Sequence, residues 1–295
     1  MDFGQYWDET LKELAGFPGK PEVELMPIRS TDFATMYNVR LTSIGPYRLF
    51  GYLSIPQGEG PFPAIYYTPK YQSVLEPIPQ GSANFLRSRF VVFALAGRGQ
   101  RLSDSPYSAG FPGLLTEGID DSQGYIFRGI AADGVRGLEY LLTRAEVDAN
   151  RIVAIGNDIA LVAAALGGGA THVICQPGLF VDTLEKASRT GDYPLEEIND
   201  YLNLYPERRD AVSDTLSYFQ LSKFAPSVDA RTLLMAGAPG GSLDAEGLSE
   251  VSGAIRGDVT VYESQSSSYR DGVYQEEWLA RDFGFAEAIL PEHWR

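Results

Sequence analysis

Phe3, Tyr6, Trp7, Leu11 and Leu14 recur at helical spacing between polar residues, which predicts an amphipathic helix over about residues 3–16 with one face against a core. The pattern then changes period. "RLFGYLSIP" (48–56) and "PFPAIYY" (61–67) read as strands on either side of the turn-forming "QGEG", and "FVVFALA" (90–96) reads as a third, more deeply buried strand. After a loop rich in Pro, Gly and Ser (103–124), Ile130, Val135, Leu138, Leu141 and Leu142 mark a helix. "RIVAIGNDIALVAAALGGG" (151–169) follows, reading as buried strand, sharp turn and helix. Strand and helix alternate again through "HVICQP" (172–177), "TLLMAGAP" (232–239) and "DVTVYES" (258–264), interrupted by a mainly helical insertion over about 180–227. That rhythm predicts an α/β fold with a mainly parallel sheet flanked by helices.

With 295 residues, 44% of them hydrophobic, the chain can bury a large core, and one domain over 1–295 is expected. The formal net charge of −15 is spread along the chain. No basic patch is left to neutralise phosphates, so nucleic acid is not expected as a partner. The longest apolar stretch, "IALVAAALGGGATHVI", is broken by three glycines and a histidine, so no membrane span is read. The opening residues lack a basic segment followed by an apolar one, and a cytoplasmic location is expected. The single cysteine, Cys175, lies in an apolar run and reads as a buried, inert thiol. No cofactor or metal is expected.

Several segments, in order, resemble the acetyl xylan esterases and cephalosporin C deacetylases, which are α/β hydrolases. "YWDETLKELAGFP" is similar to that family's opening helix, and "RGQ" (98–100) to its RGQ motif. "GID" (118–120) with "YIFRGIAADGVRGLEYL" resembles the stretch before its nucleophile strand, and "GDYP" (191–194) with "DTLSYF" (214–219) its helical insertion. The resemblance implies an α/β-hydrolase fold over nearly the whole chain. It also implies self-association, since the family's members form homo-oligomers, so a homo-oligomer or a place in a larger protein assembly is expected.

The positions that the resemblance assigns to catalysis carry other residues. Where the family reads Gly-x-Ser-Gln-Gly, this chain has Gly156, Asn157, Asp158, Ile159 and Ala160. Gly240 stands by spacing where the family has its acid, and Ser267 nearest to where it has its histidine. A serine esterase needs a base with a pKa near neutrality, and the chain has only two histidines. His172 begins a strand, at the edge of the sheet opposite to where α/β sites gather, and His293 is two residues from the end of the sequence. Neither reads as a base. The remnant of the family's pocket is expected at Tyr71, Arg98, Gln100, Asp158 and Ile159, with Arg98 and Gln100 read as buttressing a loop and Tyr71 falling where the family's oxyanion-hole tyrosine lies.

The preferred reading is a family member without esterase catalysis that serves binding or assembly. Two others stay open: a hydrolase of altered chemistry using Asp158, with Tyr71 or Glu263 as a candidate helper, on a small ligand; and a sensor of a small sugar-like molecule in a pocket rimmed by Tyr66, Tyr67, Tyr71 and Tyr269. Asp158 at the start of a helix has a structural alternative as a cap.

Overall fold

The computed structural model describes residues 1–70, 85–100, 102–103, 109–241 and 243–286. Its first helix, α1 (Phe3–Gly16), starts where Asp2 and Gln5 cap each other: the Gln5 N–H donates to Asp2 Oδ1 at 2.8 Å and the Asp2 N–H to Gln5 Oε1 at 3.3 Å. Tyr6, Trp7 and Leu14 are buried, as the stripe predicts. The Trp7 indole N–H donates to the Tyr218 carbonyl at 2.9 Å, fastening α1 to the distant helical insertion.

Among the described residues nine strands form one sheet: β1 (Glu22–Leu25), β2 (Ala34–Thr42), β3 (Arg48–Pro56), β4 (Phe62–Tyr67), β5 (Val91–Ala96), β6 (Val147–Gly156), β7 (His172–Cys175), β8 (Arg231–Ala236) and β9 (Val259–Glu263). Their order is β1-β2-β3-β5-β4-β6-β7-β8-β9, antiparallel from β1 to β5 and parallel from β5 to β9. The strands β1 and β2 go beyond the sequence reading. All four residues of β1 are exposed at the sheet edge, and β2 carries Asn38 and Arg40 among its apolar residues, so neither gives a clean burial pattern.

Alternate residues of the central strands feed two cores. Ile65, Val92, Val153, Ile174 and Leu233 pack on one face with Trp278 and Leu279, and Tyr66, Phe93 and Ala154 pack on the other with Leu138 and Leu141. The first face is covered by α2 (Phe85–Arg89) and, after β9, by α10 (Ser268–Asp282). The second is covered by α3 (Ile126–Leu142) and α4 (Asp158–Gly167), with α9 (Ser249–Ala254) on the same side. Between β7 and β8 lie α5 (Thr183–Ala187), α6 (Leu195–Leu204), α7 (Arg209–Leu216) and α8 (Leu221–Phe224), so this stretch is mainly helical. Leu195, Ile198 and Tyr201 on α6 are buried in the molecule's own core with Leu202 packed beside them, so the apolar stripe of this helix is not an outward face. Among the described residues no helix is long and apolar enough to cross a membrane.

One group on α10 gives a pH dependence. Burial alone pushes the Glu276 carboxyl up from 4.5 to about 7, and it has no hydrogen-bond or ion-pair partner among the described residues. A carboxyl whose folded pKa is raised contributes stability below its unfolded pKa, which is lost as pH rises through the folded value. Glu276→Gln is therefore expected to stabilise the protein by roughly 2 kcal/mol at about pH 8 and to leave it unchanged at about pH 4. Urea unfolding at the two pH values checks this.

Candidate active site at the carboxyl edge of the sheet

From β4 the chain passes to β5 on one side and later returns to β6 on the other, so the sheet's topological switch lies at β4. Ligand sites of open α/β sheets gather outside the carboxyl ends of the strands at such a point. A cavity of about 270 Å³ lies there, lined by Tyr67 at the end of β4 and Lys70 beyond it, Ile155, Gly156 and Asn157 at the end of β6, Ile174 and Gln176 at β7, Met235 on β8 and Gln275 on α10. These residues include no histidine, carboxylate, serine or cysteine.

The turn from β6 into α4 is built from Gly156, Asn157 and Asp158. A Cβ on Gly156 would meet Thr68 Oγ1 at 2.3 Å, so close approach of the neighbouring strand's end requires the glycine. Asn157 is the N-cap, with φ −84° and ψ −151°, and Asp158 is the first helical residue. A nucleophile elbow holds its reacting residue on a strained turn, with the side chain exposed above the sheet. Here the backbone is relaxed, because none of residues 156–160 has a positive φ.

Asp158 points away from the cavity and is 1% exposed. Its Oδ1 accepts the Phe180 N–H at 2.8 Å, its Oδ2 accepts the Gly178 N–H at 3.0 Å, and both oxygens share the Leu179 N–H at 3.2 Å. Burial pushes the carboxyl up from the ordinary aspartate value, against the pull of the donors from Phe180, Leu179 and Gly178. The carboxylate thus ties the segment that opens the helical insertion to the start of α4. Beside it Ile159 is 1% exposed, and its Cγ2 would stand 2.8 Å from a Cβ on Gly134, so it packs α4 tightly on α3. The sequence reading gathers Asp158 and Ile159 into a pocket, but the structure puts both beneath the surface.

The other predicted residues separate as well. Arg98 is buried against Asp133, to which it donates from its backbone N at 2.9 Å, from Nε at 3.0 Å and from Nη2 at 2.7 Å. It also donates to the Ile44 carbonyl at 3.1 Å and lies over the Tyr47 ring. Burial pulls this guanidinium down, and Asp133 more than offsets that. Gln100 accepts the Gly97 N–H at 2.8 Å and donates to the Lys70 carbonyl, clamping the ends of β5 and β4 together. Gly240, with φ +81°, sits in an exposed turn closed by Asp244, whose carboxylate accepts N–H groups from Gly247 and Gly240 and is held below the usual range by them. Ser267 is the N-cap of α10, its Oγ accepting the Arg270 N–H at 3.4 Å. Tyr71 and His293 lie outside the described residues.

His172 opens β7 at the far edge of the sheet, its ring 4.6 Å from that of Phe283 and 5.7 Å from that of Trp278, and burial lowers its pKa. Cys175 is buried beneath Asn157, with Sγ 3.4 Å from the Asn157 carbonyl, and burial pushes its thiol well up. Glu263 is exposed and accepts the Ala245 N–H at 3.4 Å, so among the described residues no pair of carboxylates faces across the cavity. Tyr66 is buried on the opposite face of the sheet and donates to the Gly134 carbonyl, whereas Tyr67 lines the cavity and Tyr269 lies on a different surface. Sequence reasoning missed Asn157, Gln176 and Gln275. Asn157 lies in the turn read after the strand that starts at Arg151, and Gln176 near the end of the strand read over 172–177, and that was the available signal.

The architecture is that of an α/β hydrolase, with the cavity at the expected edge of the sheet. The chain belongs to the acetyl xylan esterase (AXE1) family, whose model matches residues 1–239. The acetyl esterase Axe7A of Xylanibacter ruminicola is 23% identical over 239 residues, covering 76% of this chain and 53% of that protein, so the chain spans about half the length of this curated relative. Among solved structures, an acetyl xylan esterase from Paenibacillus sp. R4 superposes with a TM-score of 0.79 at 23% identity, over 95% of this chain and 94% of that one. Acetyl xylan esterase 1 from Thermoanaerobacterium sp. JW/SL YS485 gives 0.78 at 20% identity, over 94% and 93%. These two share the fold.

Proposed function

We propose that this chain is a non-hydrolytic member of the acetyl xylan esterase family, one α/β-hydrolase unit kept for binding or assembly. The observation that carries the reading is the state of the elbow carboxylate: Asp158 is buried and saturated by backbone donors from Gly178, Leu179 and Phe180. A reacting group must meet its substrate and be served by a base within hydrogen-bond reach. Asp158 meets neither condition, the described residues of the cavity lining include no histidine or carboxylate, and Gly240 and Ser267 serve a turn and a helix cap. The same facts weigh against an altered hydrolase built on Asp158. A small sugar-like ligand in the cleft draws support from the cavity itself, whose amides on Asn157, Gln176 and Gln275 offer both donors and acceptors.

The test is hydrolysis of p-nitrophenyl acetate and acetylated xylo-oligosaccharides by the purified protein. Rates indistinguishable from a matched protein blank, and untouched by a serine-directed phosphonate, are expected. Saturable turnover lost in Asp158→Asn would overturn the reading.

A further inference from the structure

On the far side of α10 from the cleft, Tyr262 on β9 and Gln265, Tyr269, Arg270, Tyr274 and Glu277 line an open groove of about 270 Å³ that shares no residue with the cleft. Its floor is aromatic: the Tyr262 and Tyr274 rings stack at 4.1 Å with 22° between their planes, and both pack against the core behind them. Tyr262 is further fixed by donating to Asp271 Oδ1 at 3.0 Å. Tyr269 is 46% exposed. Arg270 donates from Nη1 to Gln265 Oε1 at 2.8 Å, so two polar side chains are held in one arrangement, and the Glu277 carboxylate is exposed at the same groove.

We infer that this groove is a binding surface for a neutral pyranose, most simply one residue of an oligosaccharide chain. A pyranose combines C–H faces, which gain dispersion energy against flat rings, with hydroxyls that both donate and accept hydrogen bonds. The groove offers the complement of each. The exposed Tyr269 ring supplies a flat contact beside the stacked pair, Arg270 is a pure donor, Glu277 a pure acceptor, and the Gln265 amide has both kinds of group. One cation and one anion leave the groove uncharged on a chain of net charge −15, which fits a neutral ligand better than a phosphate-bearing nucleotide. Among the described residues of the lining Val273 is the one aliphatic side chain, too little for an apolar peptide. The inference is independent of whether the cleft hydrolyses esters.

NMR titration of the full chain with xylohexaose tests it. Saturable shifts confined to the residues that line the groove, on β9, on α10 and in the loop between them, are expected, with a Kd of about a millimolar. Tyr269→Ala should weaken binding about tenfold and Glu277→Ala several-fold, while the cleft variant Gln275→Ala binds as the parent does. The melting temperature is read alongside, and Glu277→Ala, a surface substitution, should keep the parent's value. No saturation at tens of millimolar sugar would overturn the proposal. So would binding lost in Gln275→Ala and kept in Tyr269→Ala, shifts produced by adenosine monophosphate instead of the sugar, or a Tyr269→Ala variant that changes oligomeric state in light scattering with sugar affinity unaltered.

Discussion

Asp158→Ala is expected to destabilise the protein by about 4 kcal/mol, measured as a fall in urea midpoint at unchanged slope. The substitution removes the acceptor of three backbone N–H groups, on Gly178, Leu179 and Phe180, in a region where Leu179 and Phe180 are 1% and 0% exposed. Each buried donor left without a partner costs about 1–3 kcal/mol, and relaxation of the loop recovers part of the sum. Asp158→Asn, which keeps an acceptor oxygen but brings a donor amide toward the N–H groups, should fall in between. The sign of the effect separates the two roles open to this residue. Catalytic groups are commonly held at a cost to stability, so replacing a nucleophile tends to be neutral or stabilising. A structural tie behaves the opposite way.

The second large effect belongs to the RGQ segment. Asp133 has no exposed side-chain surface, Arg98 only 13%, and the two are joined at 2.7 Å and 3.0 Å with a further bond from the Arg98 backbone. Gly129 permits this arrangement, since a Cβ there would lie 2.4 Å from the Arg98 side chain. Removing one partner leaves an uncompensated buried charge, and Asp133→Ala is expected to cost about 3–5 kcal/mol. The double variant Arg98→Leu with Asp133→Leu should cost much less than the single ones sum to, because it leaves no charge buried. Arg98→Lys should not rescue, as an ammonium cannot reproduce the forked contact to Asp133 while also reaching the Ile44 carbonyl. A thermodynamic cycle from denaturant unfolding of the variants gives the coupling. Together with the clamp that Gln100 makes between Gly97 and Lys70, this makes the segment a fastening of the sheet's carboxyl edge.

Much of the architecture was legible because burial imposes a period. The strand read at 48–56 coincides with β3, and the apolar run after Gly156 could only be a helix packed on both sides. The same rule placed the strand ends, and so the cleft. It also contained a warning that a rim of adjacent tyrosines ignores: in a strand, Tyr66 and Tyr67 must face opposite sides, and only Tyr67 reaches the cleft. Other features depend on contacts distant in sequence. The donors that turn Asp158 inward come from residues some twenty positions away, in a loop with no pattern of its own. Leu195, Ile198 and Tyr201 share one helical face by their spacing, but spacing does not name the core that receives it, since a helical face looks alike whether it meets its own domain or a partner. Tyr269 was set beside the cleft by its place after the last strand, yet α10 begins at Ser268 and carries it to another surface.

The central claim is that the elbow carboxylate is spent on the backbone of residues 178–180, and native-state hydrogen exchange reads it directly. None of these three residues lies in a helix or strand, so protection of their amides must come from the side chain that accepts them. The account predicts that the Gly178, Leu179 and Phe180 amides exchange as slowly as those of the central strands, and that Asp158→Ala selectively speeds all three. Wild-type amides exchanging at the rate of an open loop would contradict it, for they would show Asp158 turned away from the backbone and available to the cleft.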